Sequence, residues 1–174
     1  MNIILIGYRG TGKSTIARKL AERLSMPVTA MDEEIVKRAG KSIPEIVEQY
    51  GWDYFRDLES ELAAELGSRD GLIIDAGGGV IVREQNIQNL KKNGIVFWLV
   101  ADEQTIVDRI KGDDQRPSLS GSKSFLDEVF EILTLRTPMY RAAADHTIDT
   151  AVTSVEDAVD VIAEIFSETS AGSD

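Results

Sequence analysis

Short apolar runs alternate with amphipathic, helix-like patterns along most of the chain. Five apolar runs predict β-strands, at residues 2–6, 28–30, 72–75, 95–100 and 146–148. Four of them are continuous rather than alternating, as in strands that a parallel sheet buries on both faces. Helical spacing of apolar residues recurs at 14–24, 33–38, 43–50, 53–66, 83–92, 103–110, 125–140 and 155–166. This alternation predicts an α/β fold, a three-layer, doubly wound sheet of about five parallel strands with helices on both faces.

A glycine-rich loop follows the first strand. Residues 7–14 match the P-loop pattern GxxxxGK(S/T) in full, and they stand between a strand and a helix as a P-loop requires. Glycines let backbone N–H groups surround phosphate oxygens, and the helix N-terminus favours the anion. An ordinary glycine-rich turn is the alternative, but the agreement of pattern and context favours binding of a nucleoside triphosphate. The residues expected to bind it are Gly10, Thr11, Gly12, Lys13, Ser14 and Thr15.

Composition limits the classes of partner. The chain has 174 residues and no cysteine, which predicts one domain without disulfides or thiolate metal sites and is compatible with a cytoplasmic location. A net charge of −11, from 19 basic and 30 acidic residues, argues against a nucleic-acid partner. We expect no signal peptide, and no apolar run approaches the roughly 20 residues of a membrane span. The expectation is a cytoplasmic monomer.

Two segments are polar and lack a pattern of their own. Residues 112–124 form a long polar stretch between predicted helices, which is typical of a lid. Within it, Pro117 holds the preceding Arg116 in an extended backbone, and an arginine on a lid can close over transferring phosphates. The tail at 167–174 is small and polar, and we expect it to fray.

Acidic residues and glycines follow two strands, at the sheet edge where such folds bind ligands. Asp32 follows the second strand, where it either accepts a hydrogen bond from a substrate hydroxyl or caps a helix. Asp75 ends the third strand like a Walker-B acid, which together with the Ser14 hydroxyl predicts a Mg²⁺ site. The glycine run 77–79 either lets a substrate lie against bare backbone or is a flexible connection.

Position alone does not show whether two other arginines bind a ligand. Arg56 could be a solvated helix arginine paired with an acid, and Arg136 could compensate the dipole near the end of its helix. The lone histidine, His146, is expected to be structural, since no partner pattern accompanies it.

Six motifs together resemble those of the shikimate kinase family, from Gly7 to Thr150. They are Gly-Lys-Ser-Thr, the Asp after the second strand, Gly-Trp-x-x-Phe-Arg-x-x-Glu, Gly-Gly-Gly, Arg-Pro in the polar stretch and Arg-x-Pro-x-Tyr-Arg. The resemblance implies ATP- and Mg²⁺-dependent transfer of the γ-phosphoryl group to the 3-hydroxyl of shikimate, a step of aromatic amino acid biosynthesis. It also implies an adenylate-kinase-like fold of P-loop NTPase type, with a helical substrate-binding region near 32–62 and a lid at 112–124.

The resemblance also implies roles for individual residues. Asp32 corresponds to the family acid that binds the shikimate hydroxyls and acts as base. Arg56 and Arg136 correspond to the pair that clamps the shikimate carboxylate, and Arg116 and Arg109 to the arginines near the ATP phosphates and the adenine. The backbone wall of the substrate pocket corresponds to Gly77, Gly78 and Gly79.

Two positions depart from the family pattern. The family usually has Asp-x-Asp after the second strand, where the first Asp holds Mg²⁺ through water, but here the triplet is Ala30-Met31-Asp32. Either Asp75 compensates, which we favour, or metal affinity and turnover are poor. After Asp149-Thr150, residues 151–153 include no basic side chain to cover an adenine.

Two rival functions remain. Another small-molecule P-loop kinase, of gluconate or nucleoside monophosphate type, could bind a different anion with Arg56 and Arg136. A nucleotide-binding protein without catalysis would account for Ala30, but Lys13 and Asp32 argue against it.

Overall fold

The computed structural model describes residues 1–110 and 125–172. The predicted lid at 112–124, with Arg116, lies outside the described residues. None of the helices within them has the length and apolarity that crossing a membrane requires. The elements are β1 (Asn2–Ile6), α1 (Lys13–Leu24), β2 (Val28–Ala30), α2 (Met31–Ala39), α3 (Ile43–Gly67), β3 (Ile73–Asp75), α4 (Glu84–Lys91), β4 (Gly94–Val100), α5 (Glu103–Ile110), α6 (Phe125–Ala143), β5 (His146–Asp149) and α7 (Val155–Ala171).

The five strands form one parallel sheet in the order β2-β3-β1-β4-β5. β1 lies at its centre, where Ile4 pairs with Ile74 of β3 and with Val96 of β4. Parallel neighbours need crossover connections, which place helices on the faces of the sheet. The carboxyl ends of β1, β2 and β3 therefore meet at one edge, and the predicted fold class is confirmed.

Each face of the sheet has its own core, because successive side chains of a strand point to opposite faces. Ile3 and Leu5 pack against α1 and α7 on one face, while Ile4 and Ile6 pack against α2, α3, α4 and α6 on the other. All four side chains are completely buried, and burial of each contributes about 1.5–3 kcal/mol. The continuous apolar run of β1 follows from this burial on both faces.

Two predicted helices, at 43–50 and 53–66, are joined in α3. Ser42 caps its N-terminus in a capping box: Glu45 N–H donates to the Ser42 side chain, and Ser42 N–H donates to Glu45 Oε2 at 2.7 Å. Gly51 interrupts the helix with φ 84° and ψ 168°. Glycine tolerates this conformation because it has no Cβ. The kink accounts for the two separate helical patterns in the sequence.

Helix α7 extends further than the pattern predicted. It continues to Ala171, whereas we expected the chain to fray from Ser167. The hydroxyls of Ser167 and Thr169 donate to the carbonyl oxygens of Ala163 and Ile165, each at 2.8 Å. Polar side chains that bond back onto the helix are compatible with it. The prediction of a frayed tail is therefore wrong for 167–171, and residues 173–174 lie outside the described part.

Candidate active site

The P-loop connects β1 to α1 through glycines that a side chain could not replace. Gly7, Gly10 and Gly12 have φ values of 147°, 81° and 89°, which favour glycine. A Cβ at Gly7 would collide with the carbonyl oxygen of Leu99, and one at Gly10 would lie 2.7 Å from Ile110 Cγ2. The loop therefore brings bare backbone and a helix N-terminus together at the sheet edge, an arrangement suited to phosphate.

A cavity opens over this loop, and we name it the P-loop cavity. Lys13 lies on it, where Nζ donates to the carbonyl oxygens of Gly7 at 2.9 Å and Tyr8 at 3.2 Å. Thr11 does not line the cavity, because its hydroxyl is buried and donates to the Tyr8 carbonyl at 2.8 Å. The lining residues are Arg9, Gly10, Gly12, Lys13, Ser14, Thr15, Ala30, Asp32, Glu33, Asp75 and Ala76.

Ser14 and Asp75 meet in the P-loop cavity. Ser14 Oγ donates a hydrogen bond to Asp75 Oδ2 at 2.5 Å. Asp75 pairs in register with Ala30 of β2, so the position where the family has its acid lies directly beside Asp75. Among the described residues, no group of three or more His, Asp and Glu side chains is arranged to hold a metal ion. Ser14 and Asp75 therefore offer two oxygen atoms of the kind that Mg²⁺ prefers, rather than a complete protein cage.

Asp32 lies in the first turn of α2 and does not cap this helix. The N-cap residue is Ala30, and no side-chain hydrogen bond caps the helix end. A Cβ at Gly77 would lie 2.6 Å from Asp32 Oδ1 and 3.0 Å from Glu59 Oε1. Gly77 therefore leaves space for two carboxylates, and the capping interpretation of Asp32 is wrong.

A second cavity, which we name the arginine cavity, lies between α2, α3, α6 and the glycine run. Its lining brings together side chains that are far apart in sequence, including both arginines that the sequence left undecided. Gly77 borders it through Asp32 and Glu59, although Gly77 itself is not part of the lining. The lining residues are Tyr8, Arg9, Asp32, Ile43, Trp52, Phe55, Arg56, Glu59, Gly78, Gly79, Glu128 and Arg136.

Arg56 is held in the arginine cavity by a buried acid. Its Nη1 donates to Glu59 Oε2, and its guanidinium lies 5.3 Å from the ring centroid of Trp52. The Arg56 side chain is 11% exposed and that of Glu59 is 1% exposed. Burial raises the pKa of Glu59, and the charge of Arg56 opposes that shift. Arg56 is therefore paired with an acid, as its alternative interpretation required, but it is not solvated.

Arg136 reaches the arginine cavity from the opposite side, on α6. Its Nη1 donates to the carbonyl oxygen of Gly78 at 3.2 Å, and the Tyr140 hydroxyl donates to the same oxygen. Tyr140 is 1% exposed and stacks on Trp98, with ring centroids 5.9 Å apart. Because α6 continues to Ala143, Arg136 does not lie at a helix end, and the dipole interpretation is wrong.

Arg109 contacts the P-loop through the carbonyl oxygen of Gly10. Its Nη1 donates to Gly10 O and Thr150 Oγ1, both at 3.1 Å, and its Nη2 donates to Thr150 O at 2.8 Å. Thr150 Oγ1 donates in turn to Thr11 O at 3.0 Å. These bonds tie the P-loop to the segment after β5, and a contact of Arg109 with adenine stays a prediction.

The P-loop cavity and the arginine cavity adjoin, and two described residues, Arg9 and Asp32, line both. Sequence reasoning identified Asp32 but assigned no role to Arg9 or Glu59. A signal existed for Glu59, because residues three apart on a helix are neighbours and Arg56 precedes it at that spacing. Arg9 occupies a variable position of the P-loop pattern, which carried no signal.

Fold and site together define the class of protein: an α/β protein of P-loop NTPase type, with a cavity lined by arginines beside its P-loop. A family model described as shikimate kinase matches residues 9–167. The shikimate kinases of Syntrophus aciditrophicus and Geobacter sulfurreducens are each 42% identical to the chain. The alignments cover 95% and 96% of this chain, and 90% and 91% of those proteins. The chain belongs to the shikimate kinase family.

Solved structures agree with this assignment. A shikimate kinase from Acinetobacter baumannii in complex with shikimate has a TM-score of 0.89 and 34% identity, and 97% of this chain and 93% of that chain are covered. The shikimate kinase from Aquifex aeolicus has a TM-score of 0.80 and 30% identity, with 99% of each chain covered. A gluconokinase from Sinorhizobium meliloti, at a TM-score of 0.58 and 14% identity, shares the fold alone.

Proposed function

We propose that the protein is a shikimate kinase, which transfers the γ-phosphoryl group of ATP to the 3-hydroxyl of shikimate and releases shikimate 3-phosphate and ADP. The observation that carries the proposal is the meeting of the P-loop cavity and the arginine cavity at Asp32. A kinase for a small hydroxylated carboxylate needs a phosphate site, a carboxylate site and an acceptor for the hydroxyl proton between them. Family membership and the likeness to an enzyme solved with shikimate support the choice of acceptor.

Shikimate would bind in the arginine cavity through its carboxylate. Arg56 and Arg136 line that cavity from α3 and α6. The planar guanidinium fork matches a planar carboxylate. Gly78 and Gly79 line the same cavity with backbone, and the missing Cβ of Gly79 leaves room for the Arg56 guanidinium. Glu59 holds Arg56 in place before the substrate arrives.

ATP would bind over the P-loop with its phosphates among the backbone N–H groups. Lys13 Nζ, which donates to two loop carbonyls, would move to the β- and γ-phosphate oxygens. The N-terminus of α1 adds a favourable dipole for the phosphates. Gly10, Thr11, Gly12, Ser14 and Thr15 complete the loop, and Arg109 supports it from behind.

The residues at the P-loop cavity fit Mg²⁺. Mg²⁺ prefers oxygen ligands and in kinases is held by one or two carboxylates together with substrate phosphates and waters. Ser14 and Asp75 supply a hydroxyl and a carboxylate within one hydrogen bond of each other. When bound, the ion would neutralise negative charge on the phosphates. Asp75, at the end of β3, would hold the ion in place of the acid that the family resemblance implies at position 30, where this chain has alanine.

Catalysis would come from position and charge. Asp32 would orient the 3-hydroxyl and accept its proton as the oxygen attacks the γ-phosphorus, and the bond to the β–γ bridging oxygen breaks to release ADP. Lys13 would stabilise the negative charge that spreads over the transferring oxygens. Holding donor and acceptor in one line replaces a bimolecular encounter with a step inside the complex. Arg116, outside the described residues, is proposed to add a second cation.

We also propose that the protein acts as a cytoplasmic monomer without a nucleic-acid partner. The described residues of this chain line both cavities. The net charge of −11 disfavours a polyanionic partner. Light scattering at micromolar concentration would give the mass of one chain if the proposal is right.

A panel of acceptors tests the choice of substrate. ADP release is measured with shikimate, gluconate and nucleoside monophosphates at equal concentration. The proposal expects rapid ADP release with shikimate alone. Release with gluconate or a nucleoside monophosphate, and none with shikimate, would assign the arginine cavity to a different anion.

A further inference from the structure

Arg9 occupies the boundary between the two cavities of the active site. Arg9 and Asp32 are the described residues that line both the P-loop cavity and the arginine cavity. The phosphoryl group must cross this boundary, because its donor lies on one side and its acceptor on the other. Asp32 brings a negative charge to this place and Arg9 a positive charge, whereas Lys13, Arg56 and Arg136 each line only one of the two cavities.

The Arg9 side chain packs on a buried aromatic ring. The guanidinium carbon lies 5.9 Å from the ring centroid of Tyr8, and Tyr8 is 4% exposed. Packing of a guanidinium on a buried aromatic ring restricts its rotamers and is favourable in itself. The backbone nitrogen of Arg9 also lies 3.7 Å from the position of a Cβ at Gly78, so the residue adjoins the glycine wall. Arg9 therefore packs on Tyr8 with its side chain, adjoins the glycine wall with its backbone and lines both cavities.

We infer that Arg9 is a further catalytic residue, which contacts the phosphoryl group during its transfer from ATP to the acceptor hydroxyl. This inference rests on the proposed function. In the transition state, negative charge spreads over the three equatorial oxygens of the phosphoryl group, which then lies between donor and acceptor. A fixed cation at that place stabilises the transition state more than it stabilises either bound substrate. Arg9 exchanges no proton: the hydroxyl proton goes to Asp32, the P–O bond to ADP breaks and the P–O bond to the acceptor forms.

The test compares Arg9→Met and Arg9→Lys with the wild type. Arg9→Met keeps an unbranched side chain on Tyr8 and removes the charge. Its kcat should fall on the order of 100-fold, while the KM values for ATP and acceptor change less than about threefold, as for loss of a donor to the transition state. Arg9→Lys should recover only part of kcat, because an ammonium lacks the planar fork. The matched control is Arg23→Met, which removes an exposed arginine of α1 that pairs with Asp160 and should leave kcat unchanged.

A binding measurement separates catalysis from structure. Affinity for ADP with aluminium fluoride and acceptor, a mimic of the transferring phosphoryl group, should fall in Arg9→Met by about the same factor as kcat. Affinity for ADP alone should not change. In Arg9→Ala, free guanidinium ion should restore part of kcat. An unchanged kcat in Arg9→Met, or a loss confined to one KM, would overturn the inference.

Failure of the inference and failure of the proposed function give different results. If the wild type phosphorylates shikimate and Arg9→Met does so at the same rate, only the role of Arg9 is wrong. If the wild type uses another acceptor of the panel, the proposed substrate is wrong and Arg9→Met is measured with that acceptor. If the wild type transfers phosphate to no acceptor of the panel, both the proposed function and the role of Arg9 are wrong.

Discussion

Ser14 Oγ donates a hydrogen bond of 2.5 Å to Oδ2 of Asp75. This bond joins the P-loop hydroxyl to the end of β3, directly beside Ala30 at the end of β2. The resemblance to the shikimate kinase family implied an acid at the position of Ala30. The acid of the metal site has therefore moved by one strand in our account, from β2 to β3, while the edge of the sheet that carries it is the same.

Exchanging the acid between the strands tests this account. Asp75→Asn keeps the size of the side chain and a hydrogen-bond partner for Ser14, but it removes the charge that we propose holds the metal ion. The affinity of the ADP complex for Mn²⁺, measured by electron paramagnetic resonance, should fall about 10- to 100-fold.

The matched variant restores the acid on the neighbouring strand. Ala30→Asp combined with Asp75→Ala should recover most of the Mn²⁺ affinity that Asp75→Asn loses, because positions 30 and 75 are register partners. Equal Mn²⁺ affinity in the wild type and Asp75→Asn would show that Asp75 is not a ligand.

The carboxylate clamp predicts a loss that is specific to the acceptor. Arg136→Lys keeps the charge and loses the fork, so the KM for shikimate should rise on the order of 10- to 100-fold while the KM for ATP is unchanged. Steady-state kinetics with both substrates varied measures this. Arg141→Lys, an exposed arginine on the same helix, is the control. A rise in the KM for ATP in Arg136→Lys would place Arg136 outside the clamp.

Gly79 is predicted to be a position where one methyl group displaces the clamp. A Cβ there would collide with the guanidinium of Arg56, although the backbone, at φ −101°, accepts alanine without strain. Gly79→Ala should therefore raise the KM for shikimate about 10- to 100-fold through misplacement of Arg56. In an Arg56→Ala background the same change should add little, as a double-mutant cycle would measure. Fully additive effects would mean that Gly79 acts independently of Arg56.

Glu59 predicts a particular pH dependence of stability. Burial raises its pKa in the folded protein above the value near 4.3 of an unfolded chain, so the folded state holds more protons between those two values. The Glu59 contribution to the free energy of unfolding therefore falls as the pH rises from about 4.3 through the folded pKa. Glu59→Gln should lack this component.

The measurement is the free energy of unfolding of wild type minus that of Glu59→Gln, from urea titrations at several pH values. This difference should decrease with rising pH and then become level. Glu61 is an exposed acid on the same helix, one turn from Asp57, and Glu61→Gln serves as the control. A difference that rises with pH would mean that Arg56 lowers the pKa of Glu59 instead.

The sequence predicted most of the architecture because local signals and burial agree. The continuous run at β1 reflects two covered faces, and the break between two helical patterns reflects the kink at Gly51. The end of α7 was missed, since Ser167 and Thr169 are polar but bond back onto their own helix. Composition cannot distinguish such hydroxyls from those of a frayed tail.

The site was predictable where residues follow strands and less so where helices meet. Asp32, Asp75 and the glycine run were found because the carboxyl ends of parallel strands converge. Arg56 and Arg136 needed the family resemblance, because nothing local distinguishes a cavity arginine from a solvated one. Arg9 needed the structure, since only the position of the two cavities shows that it borders both.

Phosphoryl transfer to shikimate is tested by ADP release with shikimate, with and without Mg²⁺, and with the product identified by phosphorus NMR. We expect one ADP for each shikimate 3-phosphate and a strong dependence on Mg²⁺. Turnover should be at least about 1,000-fold lower in Lys13→Ala, because the variant lacks the ammonium group that would neutralise charge on the transferring group. ADP release that does not depend on shikimate, or unmodified shikimate beside a different phosphorylated acceptor, would contradict it.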